Sequence, residues 1–472
     1  MSLLMRRFFL VLLSIIFLPL CSLAQSTLNF PHVIEPPDLA TTGFAIVNPG
    51  PTDAAATFTL FGADGSVVGT STQTIAARGQ LAKLASQLFP PVLAGWVRVT
   101  SDTAGLQGFW FAGDLVNFAD GAEAAPSGTE LVLPMVAPSS EIDIANTGTT
   151  DVTIVMDLIG LDGLDQDLPF PQRIPAKGFF KTSAANIFPK ADFLAATHLR
   201  LKCACTGSIF AGLLIAKDFI AEPSWAVINA LPASASSVSV IFPHLVDGPQ
   251  GDMNWKSVIG VTNLSATLSN DVTLIFTAAD GTSKTVQRTI QPNGSVRDTA
   301  RQLFGFTTGF QNGWLRITSA SSIPITGYVA YAETVGAAVA VVPPQSEGQV
   351  NLLFLHIADL PPWWTGLALL NANTRAASVE IFAMNPDGSL IGGPANVATA
   401  QFSLPGSSKV SKLLSEWIPD TQRRKSDGGF IFVRSDVPIF GIELFFSRNT
   451  QILANVPPAR IPAGSYVPPS PR

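Results

Sequence analysis

An apolar strand ending in Asn, then Asp-Gly sixteen or seventeen positions later, occurs four times along this chain. The pairs are Asn48 with Asp64-Gly65, Asn146 with Asp162-Gly163, Asn263 with Asp280-Gly281, and Asn371 with Asp387-Gly388. A repeat this regular constrains the fold more than any single residue, because each copy must be one structural unit. The copies occupy 25–126, 127–233, 234–344 and 345–460, after a leader at 1–24 and before a Pro-rich tail at 461–472. A chain of about 100 residues already hides over half of its unfolded surface, so each copy can bury a core of its own.

Inside a copy the signals follow one order. Gly43 to Asn48 reads as a strand that Asn ends, since its amide bonds its own backbone two residues on. Thr57 and Thr59 alternate with Phe58 and Leu60, a half-buried strand. Asp-Gly then predicts a type I′ hairpin. Leu81, Leu84, Ala85 and Leu88 fall on one face of a short helix, with Val296, Thr299, Ala300 and Leu303, and Val410, Leu413, Leu414 and Trp417, in register. Pro or Gly stops each helix, which crosses from one sheet to the other. In the strand Gly95 to Ser101, Val97 and Val99 face the core, and Trp96 and Arg98 take the other face. Many short antiparallel strands with one small helix per copy predict an all-β chain of four tandem antiparallel β-sandwich domains, as a rod or a curved array. A β-propeller is the alternative, but its blades need only about 40–50 residues.

Arg6-Arg7, the apolar run from Phe8 to Leu20, and Ser22-Leu23-Ala24 predict a signal peptide cleaved before Gln25. That run is too short for a stable span, so the mature chain is expected to be exported without a membrane segment. Lipid attachment at Cys21 is the alternative, against which Leu20 stands where a small residue is wanted. Cys203 and Cys205 share a strand face and read as small apolar fillers, with a strained bridge as the alternative. With 47% apolar and 13% charged residues and a net charge of −6, the chain is globular and a poor partner for nucleic acid.

No G-x-S-x-G elbow, H-E-x-x-H motif or phosphate-cradling loop is present, so no enzyme activity, cofactor or metal is expected. His32, His244 and His356 recur at one position of separate repeats, which argues for a packing role. Asp162-Gly163-Leu164-Asp165-Gln166-Asp167 lacks the spacing of a helix-loop-helix calcium site and reads as a hairpin turn. Trp96 with Arg98, and Trp314 with Arg316, can stack guanidinium on indole, either stiffening a sheet or forming a repeated recognition platform. Trp255 and Trp363-Trp364 fall in the variable loop after each first strand, where apolar aromatics either contact a partner or lid the sandwich.

The Phe44 to Asn48 strand, the Asp-Gly turn, the helix ending Leu88-Phe89-Pro90 and the Gly95-Trp96-Val97-Arg98 strand resemble tandem repeats of exported bacterial proteins of uncharacterised function. The resemblance implies immunoglobulin- or fibronectin-like sandwiches at a cell surface or outside the cell, and implies no activity. The expected function is therefore a non-enzymatic adhesion, interaction or spacer array, with an unknown surface protein or glycan as partner. Carbohydrate binding through exposed Trp is the alternative, and a hydrolase on an unfamiliar sandwich is the third reading.

Overall fold

The computed structural model describes residues 25–91, 94–203, 205, 209–217, 224–334, 338–392, 399–424, 428–447, 452–461 and 466. The expected signal peptide, with Cys21, and most of the Pro-rich tail lie outside these residues. No helix among the described residues is long and apolar enough to cross a membrane.

The first repeat has eight strands: β1 (Ser26–Ile34), β2 (Gly43–Val47), β3 (Ala54–Phe61), β4 (Val67–Ile75), β5 (Gln80–Leu84), β6 (Gly95–Ser101), β7 (Gln107–Gly113) and β8 (Ala119–Glu123). They form two antiparallel sheets, ordered β1-β6-β3-β4 and β5-β2-β7-β8. The other three repeats reproduce both orders. In the fourth, one long strand, Phe430–Ser447, serves as β6 and β7 together. Aliphatic and aromatic side chains fill each sandwich; in the first these include Phe30, Phe58, Val97 and Val99, all buried. Fully burying one such side chain stabilises the fold by about 1.5–3 kcal/mol.

The recurrent Asn is more than a strand end. Asn48 is buried; its Nδ2 donates to the carbonyls of Thr52 (2.8 Å), Ile75 (3.3 Å) and Ala76 (3.2 Å), and its Oδ1 accepts from the Gly50 amide (2.9 Å). It thus staples the end of β2 to the end of β4 in the opposite sheet. Asn146, Asn263 and Asn371 make the matching bonds. The Asp-Gly turn is a hairpin as expected but not of type I′. Only the Gly has positive φ (83° at Gly65), and the Gly65 amide donates back to the Gly62 carbonyl at 3.0 Å. The Asp64 side chain accepts from the Ser66 amide and hydroxyl, which holds Asp64 at negative φ. The helix is also shorter than expected. Leu81 and Leu84 lie in β5, paired to β2, and only α1 (Ala85–Leu88) is helical. The ladder to β2 takes the backbone groups a helix would need. The one-turn helix does cross from β5 to β6 of the other sheet.

The four sandwiches curve until the array closes into a ring. Strand β8 abuts Trp225–Asn229 of the second repeat and Ile452–Val456 of the fourth, and Val339–Val342 of the third abuts both of those. Asp120 on β8 accepts from the Val227 amide of the second repeat (2.7 Å) and the Asn455 amide of the fourth (3.3 Å). Burial pushes its pKa well above the ordinary carboxylate value. The cores are continuous across the seams. Leu213, Ile215 and Val227 of the second repeat join the first core, and Tyr328, Ala330 and Val341 of the third join the second. Ala368, Ile442 and Leu453 of the fourth join the third, and Val47 and Phe109 of the first join the fourth.

Two devices recur at the seams. The first is a docked turn. A Cβ on Gly65 would lie 1.9 Å from the Ala176 carbonyl oxygen of the second repeat, and one on Gly163 1.9 Å from that of Pro292 in the third. One on Gly388 would lie 2.6 Å from the Arg78 carbonyl oxygen, which closes the fourth repeat on the first. Glycine is required there for close approach as well as for φ. The second device is a plug at the start of the β5 strand. Gln80 inserts its amide into the fourth repeat, donating to the carbonyls of Leu355 (2.7 Å) and Gly429 (2.8 Å) and accepting from the Gly429 amide (2.8 Å). Gln80→Ala leaves those buried groups unpaired, and urea unfolding is expected to show a loss of about 1–3 kcal/mol. Wild-type stability in that variant would show that the plug is dispensable.

Candidate functional site

The residues equivalent to Gln80 are Phe179, Ser295 and Lys409, and each meets the preceding repeat at the position of Gly95-Trp96. This decides where the Trp-Arg pairs lie. Trp96 is fully buried between the first two repeats, where its Nε1 donates to the Lys177 carbonyl at 2.7 Å and Phe179 packs beside it. The Arg98 guanidinium sits 5.1 Å from the Trp96 ring centroid and donates to the Thr147 carbonyl of the second repeat at 2.8 Å. Trp314 is buried with Leu370 and Phe440 of the fourth repeat, and Arg316 lies 5.3 Å over its ring. The cation–π pairs form, but they are seam contacts and present no open platform.

Trp255, Trp363 and Trp364 remain half-buried. They stand on strands, not in a loop. Trp255 lies in Met253–Asn263, and Trp363 opens Trp363–Asn371. Pairing of Trp255 with Glu333 and of Trp363 with Ser447 extends the ladder past the point where β2 starts in the first repeat. Trp364 stacks on Phe446 at 5.6 Å.

Register makes Trp255 and Trp363 equivalent. Each stands three residues before the position, Val258 or Gly366, that pairs with the end of the β5-type strand. Each also lines a cleft between its own repeat and the next. The third–fourth cleft, about 350 Å³, is walled by His244, Trp255 and Tyr331 from one side and by Leu367, Lys412 and Leu413 from the other. The fourth–first cleft, also about 350 Å³, is walled by His356, Trp363 and Phe445 against Phe44, Lys83 and Leu84. Position for position these walls correspond. The second–third cleft has Pro138 where the other two have Trp.

The histidines sit beside these seams, each in its own surroundings. Lys409 donates from Nζ to His244 Nδ1 (2.7 Å), to the Gly313 carbonyl (2.9 Å) and to Asn312 Oδ1. Three ammonium protons meet three acceptors. Burial draws the Lys409 pKa well down, and burial with the Lys409 charge does the same to His244. With Nδ1 accepting, Nε2 is assigned the ring proton. Burial, then the Arg424 charge, lowers His356 to about 4. His198 stands where Trp96 stands in the first repeat. Its Nδ1 lies 3.0 Å from Thr197 Oγ1 and 3.2 Å from Ser295 Oγ of the third repeat, and burial, then Arg200, lowers its pKa to about 3.

His32 departs from this pattern. Its Nδ1 lies 3.3 Å from Asp143 Oδ2 of the second repeat, and Glu141 completes a group whose ligand atoms fall within 4.8 Å of one another. The donor set is that of a metal site, but the charges already present oppose a cation. Lys181 (3.2 Å) and Lys217 (3.0 Å) pair with Glu141, and the Val33 amide donates to Asp143. Burial raises the Glu141 pKa and the two lysines more than offset it, while burial raises that of Asp143. The group is an ion-pair network that fills the first–second seam. Cys203 and Cys205, expected as fillers, are joined in a disulfide. Asp162 accepts from the Leu164 amide as a turn residue, and Asp167 from the Leu168 and Lys190 amides.

No family model matches the chain, and no curated protein matches it. Among solved structures it is similar to "Crystal structure of tetra-tandem repeat in extending region of large adhesion protein", with 12% identity over 92% of this chain and 98% of that one. The TM-score is 0.11, so the two chains do not superpose as wholes.

The histidines make stability depend on pH. His198 and His356 have folded values, about 3 and about 4, below the ordinary 6.5. Between the ordinary and the folded value the unfolded chain takes up protons that the folded chain does not, so stability falls as pH drops through that window. Melting temperatures at pH 7 and pH 4.5 are expected to fall further for the wild type than for His198→Asn. An equal fall would show that His198 is not held neutral in the seam.

Proposed function

We propose that this chain is a non-enzymatic, exported binding protein whose contact sites are the clefts between its repeats. The observation that carries the reading is the recurrence of a half-buried Trp, a neutral His and a second aromatic ring in two equivalent clefts. Ligand pockets favour domain boundaries and aromatic walls with few polar groups, in the range of about 300–1,000 Å³. The ring favours interaction over spacing, since a closed array adds far less reach than a string of the same repeats. Two similar sites on one chain also strengthen weak contacts to a multivalent surface without any new contact.

The test is an array of glycans and extracellular proteins probed with the intact chain and with the Trp255→Ala/Trp363→Ala double variant. The expected result is retention by the wild type, lost in the variant, with the melting temperature lower by only a few degrees. Retention on glycans alone would favour the carbohydrate reading. Unchanged retention by a variant whose melting temperature falls steeply would make both Trp residues packing elements.

A further inference from the structure

The two aromatic clefts differ from the rest of the chain in charge. The protein carries a net charge of −6, yet the fourth–first cleft has no Asp or Glu in its walls, and the third–fourth cleft has only Glu416. Glu416 accepts from the Leu413 amide at 2.7 Å to cap its helix, which fixes where its charge sits without removing it. Each cleft instead holds a lysine at one equivalent position, Lys412 in one and Lys83 in the other. Lys412 is exposed, and Lys83 has a neutral partner, Gln73 Oε1 at 2.6 Å. Neither ammonium is neutralised by an acid in its cleft wall. Behind the histidines stand Lys409, whose Nζ bonds His244 Nδ1, and Arg424, whose charge acts on His356.

The deeper walls are apolar. Trp363, Phe445, Phe111 and Phe44 line the fourth–first cleft, and Trp255, Tyr331, Phe446 and Leu444 line the third–fourth cleft. The other two seams lack the combination. One has Pro138 in its wall at the position of the Trp, with Met135, buried in the core, at the position of the His, and the other is filled by the Glu35, Lys181, Glu141 and Lys217 ion pairs.

From this charge complementarity we infer that the third–fourth and fourth–first clefts are a matched pair of sites for an organic anion with an apolar body, such as an aromatic carboxylate. The inference rests on the clefts being the binding sites proposed above. The ring of such a ligand lies among the aromatic walls, and its carboxylate meets Lys412 or Lys83 at the mouth. His244, with Nε2 protonated, adds an uncharged N–H donor. A cationic head of the same shape meets no acid in the walls of the fourth–first cleft, and in the third–fourth cleft it meets only Glu416.

Three probes with one body and different heads test this: 3-phenylpropionate, 3-phenylpropionamide and 3-phenylpropylamine, titrated into the intact chain by calorimetry at low salt. The expected result is two propionate molecules bound per chain, about three- to fivefold tighter than the amide, as for an exposed ion pair, with the amine weakest. Trp255→Ala and Trp363→Ala should each leave one molecule bound. Lys83→Met with Lys412→Met should erase the preference for acid over amide while retaining binding of the amide. Equal affinities of acid and amide in the wild type, with loss of binding in the Trp variants, would overturn the inference about the head group and leave the clefts as binding sites. Unchanged propionate binding in the double Trp variant would overturn both.

Discussion

Everything else in this molecule depends on the loop that joins β4 to β5 and on what it meets in the preceding repeat. In each copy the loop carries a non-glycine residue at positive φ: Arg78 (57°), Lys177 (62°), Asn293 (56°) and Ser407 (55°). That turn exposes a backbone carbonyl on one side and aims the plug residue on the other. In three of the four seams the carbonyl side receives the Asp-Gly turn of the preceding repeat, and in all four the plug enters beside the β6-type strand of that repeat. Each of these three seams therefore joins a turn on one repeat to a socket on the next. Head-to-tail contacts of this kind form filaments unless the rotation closes them. Here it closes after four, because the innermost strands meet around one axis and the Asp120 carboxylate bonds to both neighbours.

The fourfold pattern made the sandwiches legible, because Asn, Asp-Gly and the alternating aliphatic residues act within one copy. The seams were hidden for a physical reason. The plug residue is Gln80, Phe179, Ser295 or Lys409, four chemistries at one position, each fitted to a different socket. Gln80 bonds the backbone, Phe179 packs on an indole, Ser295 approaches an imidazole, and Lys409 gives its three protons to three acceptors. A pattern search sees no recurrence there. The Asp-Gly motif is a hairpin signal within its own repeat. Its glycines at 65, 163 and 388 also answer to a neighbouring carbonyl that sequence spacing cannot reveal. Trp96 and Trp314 were likewise visible as unusual residues on a non-core face. The same face that would be a platform on an isolated domain becomes an interior surface in a ring. For the clefts, the sequence singled out Trp255, Trp363 and Trp364 as residues apart from the core strands. Their convergence with His244, His356 and the lysines of the next repeat follows only from the register between repeats.

The seams are not alike, and the differences bear on function. The third–fourth seam lacks the docked turn, since a Cβ on Gly281 would meet nothing within 4 Å. Trp314 Nε1, equivalent to the bonded Trp96 Nε1, is buried there with no hydrogen-bond partner. Lys409 and the Trp314–Leu370–Phe440 cluster hold that seam instead. A ring of four identical seams would need none of this. Two of the four seams keep an aromatic cleft, one is filled by ion pairs, and one has lost the Trp and the His.

Closure is the central claim, and small-angle X-ray scattering of the chain from residue 25 tests it most directly. A ring of fused cores is as compact as a single globule, with an expected radius of gyration of about 22–24 Å for roughly 450 residues, and with one peak in the distance distribution. A much larger radius, with a long tail in that distribution, would mean that the fourth repeat does not meet the first, and would contradict the ring.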